Sequence, residues 1–399
     1  MTRRTPTAVL AVLLLLGCEQ SALVVPAAPA TSAPASVFEA TAAASITSAA
    51  VSASDPAPAF GDTIELSVEV EGAWDRITYA WATTGAGTFT NTDSSVATYV
   101  VAAADVGETL VFGAIVAAFG TGDAAEAGTA AARAPTTTAA VPALELPWEM
   151  PEGAVFDWGT VWLTPDIITQ DDPTALDSLR YTGRGARWFF DPRTDPRAWR
   201  EDLNTYLFDA HFGDHVMEVQ AHPAYGSAEA AEAMAAYYAA VIGRLPQGIR
   251  SGGSEIEIAP LEDGGYAGGA PCGGIFHAAW PPARGPAPYD EEVAFHEGGH
   301  VSLDDCNWPE EGTLRRHSRS PGWLAAQEAD SLFISPYARD WPNREDLAET
   351  VLPWFAVRCV PERVDRFYRY AVERYIPHRL AYLDSRLDTA PFECSSSRP

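Results

Sequence analysis

The residues with the clearest chemical content are His296, Glu297 and His300, in the run Val293-Ala294-Phe295-His296-Glu297-Gly298-Gly299-His300-Val301-Ser302-Leu303-Asp304. Residues four apart on an α-helix are separated by about 40° around its axis, so the two imidazoles project from one face and can share one ion. Imidazole nitrogens suit Zn²⁺, and a carboxylate one residue past the first histidine falls beside such an ion rather than on it. There Glu297 can take a proton from a metal-activated water. Asp290 is placed to cap the helix, and Glu291 and Glu292 add negative charge to its first turn. Two consecutive glycines inside a helix cost about 1 kcal/mol each relative to alanine, so packing and the metal must hold it. A solvated polar helix face can carry the same five residues, and the context separates the two readings.

Two histidines leave zinc short of ligands; a catalytic site needs a third from the protein and one open position. The positions that carry a further ligand in HExxHxxGxxH or HExxHxxGxxD sites are here Leu303 and Cys306. Asp304 and Asp305 lie a turn further along the same helix, which suits a supporting or capping role. Glu345, in Asn343-Arg344-Glu345-Asp346-Leu347-Ala348-Glu349, is the remaining candidate. Glu345 and Glu349 are four apart, so one can bind zinc while the other holds a ligating histidine by its free ring nitrogen. Leu347, Ala348, Val351, Leu352 and Phe355 mark this helix as buried, against a solvated acidic face.

HExxH followed by a downstream helix bearing Glu-x-x-x-Glu resembles the gluzincin class of metallopeptidases. The run Ile334-Ser335-Pro336-Tyr337-Ala338-Arg339 ahead of Glu345 is similar to the catalytic domain of anthrax lethal factor and its bacterial relatives, where a Tyr-(Gly/Ala)-Arg element precedes the ligand glutamate. The resemblance spans Val293 to Glu349. It implies that His296, His300 and Glu345 are metal ligands for one Zn²⁺ per chain, with Glu297 the catalytic base and Tyr337 a donor to the developing oxyanion. Glu349 and Asp304 would support the ligands from outside. Asp340 to Arg344 is a residue longer than the corresponding loop of those relatives.

The 399 residues carry a net charge of −28, and all 26 basic residues are arginine. Such a chain repels phosphate backbones and anionic membrane surfaces, which disfavours nucleic acid as a partner, and none is expected. Arg3 and Arg4 precede an apolar run, Ala8 to Leu16, with the layout of a secretory signal and too short to span a bilayer. Leu15-Leu16-Gly17-Cys18 resembles the bacterial lipobox. That resemblance implies a signal peptide over residues 1–17, lipid on Cys18 and an extracytoplasmic protein that meets a bacterial membrane only through this anchor, at the outer membrane or cell surface; Glu19 favours the outer membrane where the organism has one. Four cysteines remain, enough for two disulfides in any of three connectivities. Cys272 and Cys306 bracket the zinc helix, and Cys359 and Cys394 the C-terminal helices; these are the pairs expected.

Residues 18–45 are mostly Ala, Pro, Ser and Thr with few large apolar groups, a tether. Over residues 46–134, period-two runs at Thr63–Val70, Ile77–Trp81, Ala97–Val101 and Thr109–Val116 predict a β-sandwich. With Tyr79-Ala80-Trp81 it resembles the immunoglobulin-like PKD repeats of bacterial surface proteins. Residues 135–150 read as a linker. Residues 151–399 hold all eight histidines and read as α+β. A hairpin is expected about Phe212-Gly213-Asp214, a helix from Ser227 to Ile242 and strands near Ile256–Ile258 and Ile275–Ala278. Helices follow over Gly322–Asp330, Asn343–Val357, Pro361–Tyr375 and Ile376–Leu387. Strands ahead of a metal-bearing helix is the order of zincin-like peptidase domains, in which an edge strand pairs with extended substrate.

The expected fold class is therefore multidomain, an immunoglobulin-like sandwich followed by a zincin-like domain. The expected function is a lipid-anchored zinc metallopeptidase acting on a peptide or protein substrate. Two alternatives stay open: a surface binding or adhesion lipoprotein with a structural zinc, and a zinc amidase acting on cell-wall material.

Overall fold

In a computed structural model of the chain, residues 44–120, 129–157, 159, 167–189, 201–260, 267–269, 274–280, 289–304, 317–330 and 332–387 are described. The alternating runs near the start are strands: β1 (Ser45–Ala53), β2 (Thr63–Ala73), β3 (Arg76–Thr83), β4 (Thr88–Thr90), β5 (Val96–Val100), β6 (Thr109–Phe119), β7 (Thr129–Arg133) and β8 (Thr137–Ala140). One sheet has the order β1-β2-β5-β4; in the other β3, β7 and β8 all pair with β6. Because side chains alternate across a strand, Ile64, Leu66, Tyr99, Trp81, Leu110, Phe112 and Val116 from both sheets fill one core. The Tyr99 hydroxyl donates to Asp105 Oδ2 at 2.6 Å and accepts from the Gly87 amide at 2.6 Å, fixing the loop over that core.

β8 corrects the linker boundary. Thr137–Ala140 pairs with Thr109–Phe112, and its composition, read as linker, includes two β-branched threonines that suit a strand.

The second part is built on a six-stranded sheet ordered β13-β14-β12-β11-β10-β9. Its strands are β9 (Ser178–Phe189), β10 (Glu201–Phe212), β11 (His215–Ala221), β12 (Glu255–Pro260), β13 (Ala267–Gly269) and β14 (Ile275–Trp280). Gly213, at φ +65°, turns β10 into β11 through a two-residue loop. β11, β12 and β14 run parallel. The chain crosses between β11 and β12 through α1 (Ala228–Arg244) and α2 (Gln247–Arg250), with Ser227 Oγ accepting from the Ala230 amide as the α1 cap. Ala231, Ala235, Tyr238 and Ile242 of α1 meet Val219, Ile256, Ile258 and Phe276 in the core. The strand that precedes the metal helix is not an edge: β14 lies between β12 and the three-residue β13, which forms that edge.

After α3 (Asp290–Leu303) come α4 (Pro321–Asp330), α5 (Pro336–Asp340), α6 (Asp346–Cys359), α7 (Arg366–Tyr375) and α8 (Pro377–Leu387). Two boundaries differ from the sequence expectation. α6 begins at Asp346, because Pro342 to Glu345 form a turn closed by the Glu345 amide on the Trp341 carbonyl at 2.8 Å. Pro361 starts only a 3₁₀ turn; Asp365 then accepts from the Phe367 and Tyr368 amides and starts α7 afresh.

Cys359 is disulfide-bonded. Cys272, Cys306 and Cys394, like residues 1–17, Cys18 and Asp305, lie outside the described residues. Among the described residues no helix is long and apolar enough to cross a membrane.

Candidate metal centre

α3 is anchored by its own acidic first turn. The cap is Tyr289 rather than Asp290, and no side chain caps the helix. Asp290 is instead the first helical residue, and its Oδ2 accepts from the Tyr237 hydroxyl at 2.5 Å. Glu291 Oε1 takes Arg244 Nη1 at 3.0 Å, and Glu292 Oε1 takes the Ile167 amide at 2.7 Å. All three carboxylates are buried, so charges expected to serve the helix dipole also dock the helix onto α1 and the 167 segment.

The two glycines have a packing reason. A Cβ on Gly298 would stand 2.3 Å from Ile249 Cγ2 and 3.1 Å from the Ile249 carbonyl oxygen. One on Gly299 would stand 3.1 Å from Ala348 Cα on α6. Gly298→Ala sets an overpacking cost of about 1–3 kcal/mol against a ~1 kcal/mol gain in helix propensity, and a Cβ 2.3 Å from Ile249 Cγ2 puts the cost at the upper end, so the net should be a destabilisation of about 1–2 kcal/mol. Urea unfolding reads the sign, and a stabilised variant would remove the close-packing explanation.

The close approach of α3 and α6 brings together His296, His300 and Glu345, whose ligand atoms all lie within 4.8 Å of one another. Glu345 Oε2 is 3.0 Å from His300 Nε2 and 3.4 Å from His296 Nε2. The other nitrogen of His296, Nδ1, is 3.2 Å from Glu349 Oε1, and Glu349 Oε2 accepts from the buried Ser335 hydroxyl at 2.6 Å. Burial alone would raise the Glu345 carboxyl, but the imidazoles beside it outweigh burial and hold it well below the usual carboxylate range. Burial likewise works against a charged His296, yet Glu345 and Glu349 lift it well above the ordinary imidazole value. The pocket thus favours a cation held among these groups, as a proton or as a metal ion.

A tetrahedral zinc with bonds of about 2.0–2.1 Å separates its ligand atoms by about 3.3 Å. The Glu345–histidine separations bracket that value, all three ligand atoms lie within 4.8 Å of one another, and two imidazoles with one carboxylate are a zinc donor set, so these residues could hold the ion.

Glu297 is half-buried on the β14 side of α3, lining a cavity with Ala294, Phe276, His277 and Ala278. Tyr337, on α5, is 42% exposed; partial burial and then the charge of Glu345 push its phenol up to about 12. It therefore keeps its proton at neutral pH and can donate. Asp304 is not in the cluster of ligand atoms. Its Oδ1 accepts from the Ser318 hydroxyl at 2.7 Å, and the same Oγ stands 3.1 Å from the Asn343 carbonyl, linking the end of α3 to the turn before Glu345.

Of the six remaining histidines, His317 Nδ1 lies 2.7 Å from the Tyr382 hydroxyl, His378 Nδ1 2.8 Å from Asp330, His215 Nε2 2.8 Å from the Gly253 carbonyl, His277 Nδ1 3.4 Å from Glu257, and His222 Nδ1 accepts from the Ala224 amide at 3.1 Å. Ser335 and Arg344 were not singled out in the sequence. A serine before a proline is a cap signal that could have found Ser335, which also accepts from the Ala338 amide at 3.1 Å. Arg344 had no signal beyond adjacency to Glu345.

No family model and no curated protein matches this chain. A solved structure aligns in part: a nucleoside hydrolase-related hypothetical protein from Saccharophagus degradans that is associated with carbohydrate metabolism, at 13% identity and a TM-score of 0.19. The alignment covers 24% of this chain and 26% of that one, about a quarter of its length, and carries no argument about fold or function.

Proposed function

We propose that the chain is an extracytoplasmic, lipid-anchored zinc metallopeptidase of gluzincin-like construction, with an immunoglobulin-like spacer ahead of its zincin-like catalytic domain. The observation that carries this reading is the spacing of two imidazole nitrogens and one carboxylate oxygen, with a second carboxylate behind His296. Zinc would supply Lewis acidity and a water acidified to near neutrality. Glu349 Oε1, 3.2 Å from His296 Nδ1, is placed to orient the ring and leave Nε2 for the ion. Glu297 would serve as the base that takes a proton from the attacking water and returns it to the leaving amine. Tyr337, protonated at neutral pH, donates a hydrogen bond to the carbonyl oxygen as it gains charge. Among the described residues no strand pairs with the outer side of β13, and an extended peptide could add a strand there.

The test is metal content and hydrolysis together. Full-length protein should hold one zinc per chain, hydrolyse casein, lose activity to a chelator and regain it with zinc. Glu345→Ala should lose most of its zinc. Full retention in that variant would take Glu345 out of the ligand set, and a wild-type protein that binds no zinc would end the reading. Turnover of peptidoglycan fragments with casein untouched would favour the amidase alternative.

A further inference from the structure

Arg344 sits between the candidate ligand and the candidate oxyanion donor. Its Nε donates to Glu345 Oε1 at 2.5 Å, the oxygen left over when Oε2 faces the two imidazoles. Its Nη2 lies 3.5 Å from the Tyr337 hydroxyl. The turn closed on the Trp341 carbonyl holds the backbone at residues 344 and 345, and the guanidinium lies 5.4 Å from the centroid of the Trp341 ring.

A carboxylate on its terminal torsion has broad freedom, and nothing in Glu345 itself prevents both oxygens from turning towards an ion. Bidentate ligation would occupy the position that a catalytic zinc keeps open. A hydrogen bond from a charged, planar donor to Oε1 opposes that rotation, and the guanidinium fork directs a second nitrogen towards Tyr337 with the geometry fixed between them. The Arg344 side chain is 62% exposed, so solvent screens its charge, but the Glu345 side chain is only 4% exposed and the hydrogen bond to Oε1 acts on a buried carboxylate.

We propose that Arg344 is a positioning residue that keeps Glu345 a single-oxygen ligand and sets the Tyr337 hydroxyl beside it. The inference rests on the zinc-hydrolase reading above. Lysine, a point charge with no planar fork, cannot hold both partners in register.

The test uses the full chain as wild type, Arg344→Ala, Arg344→Lys, Tyr337→Phe and the double variant R344A/Y337F. Zinc affinity is read by competition with a chromophoric chelator, kcat and KM on casein, and ligand geometry from the visible spectrum of the Co²⁺-loaded protein. Arg344→Ala should weaken zinc binding by about 10-fold, the low end for residues that support a ligand. It should also lower kcat more than KM and dim the cobalt bands as coordination number rises. Arg344→Lys should rescue little, and the double variant should lose scarcely more kcat than the worse single variant. Wild-type zinc affinity, kcat and cobalt spectrum in Arg344→Ala would overturn the proposal, as would simple additivity in the double variant. A wild type without zinc or hydrolysis strikes the underlying reading instead, so the two failures are distinguishable.

Discussion

Glu297→Gln should lower kcat on a protein substrate by about 10²–10⁴-fold while zinc stays near one per chain and KM changes little. Glutamine matches glutamate in shape and still hydrogen-bonds, but at neutral pH it cannot accept and return a proton, and that range is what a positioned general base contributes. The residue is not among the grouped ligand atoms, which are those of His296, His300 and Glu345, so the substitution should leave metal affinity in place. Loss of activity with retained zinc separates the base from the ligands; loss of both would make Glu297 part of the binding set. Unchanged turnover would sink the peptidase mechanism and favour a binding protein with a structural zinc, which has no use for a base beside the ion.

The histidine pair was legible because helical spacing fixes which side chains share a face, whatever the helix packs against. The pairing of Glu345 with both histidines and of Glu349 with His296 Nδ1 depends on how α6 meets α3, a long-range contact made possible by Gly299 against Ala348. Spacing offered those glutamates as candidates, and packing decided which oxygen faces which nitrogen. The Ser335 and Arg344 contacts were illegible for the same reason, although the cap signal Ser-Pro marks Ser335 as a helix start: each meets a carboxylate whose direction only the folded chain sets.

Strands followed from alternation, but composition misled at the linker boundary, and alternation alone does not say whether the second face of a sheet is covered. Thr137–Ala140 looked like linker because alanine and threonine are common in both. Gln220 and Glu257 occupy positions that alternate with the core residues Val219, Ile256 and Ile258, positions that in a half-exposed sheet would face water, yet both are buried. The acids at 290–292 read as first-turn charges of a helix N-terminus; their partners Tyr237, Arg244 and Ile167 are 53, 47 and 125 residues away and invisible to local patterns.

Arg379→Met should destabilise the protein by about 3–5 kcal/mol, the cost of breaking a buried ion pair from one side. The Arg379 side chain is fully buried, with Nε 2.9 Å from Asp346 Oδ2 and Nη1 3.1 Å from Asp330 Oδ2 and 2.7 Å from the Leu332 carbonyl. Methionine fills similar space but leaves two buried carboxylates with less compensation: Asp346 keeps Gln327 Nε2 at 2.8 Å, and Asp330 keeps His378. Burial pushes Asp346 up to about 6, with Arg379 and Gln327 holding it down, so removing Arg379 raises it further. A carboxyl whose folded pKa exceeds its unfolded value of about 3.9 costs stability as pH rises through that interval. The deficit should therefore be small near pH 4 and grow to its full size above the folded pKa of the variant, as measured by urea unfolding across that range. Asp346 is the first residue of α6, directly after Glu345, so the same substitution should weaken zinc binding as the turn at 342–345 loosens. Adding Asp346→Asn to Arg379→Met removes one uncompensated charge and should recover part of the stability at pH 7 but little at pH 4. An equal deficit at both pH values would show that lost packing around Arg379, rather than the stranded carboxylates, dominates.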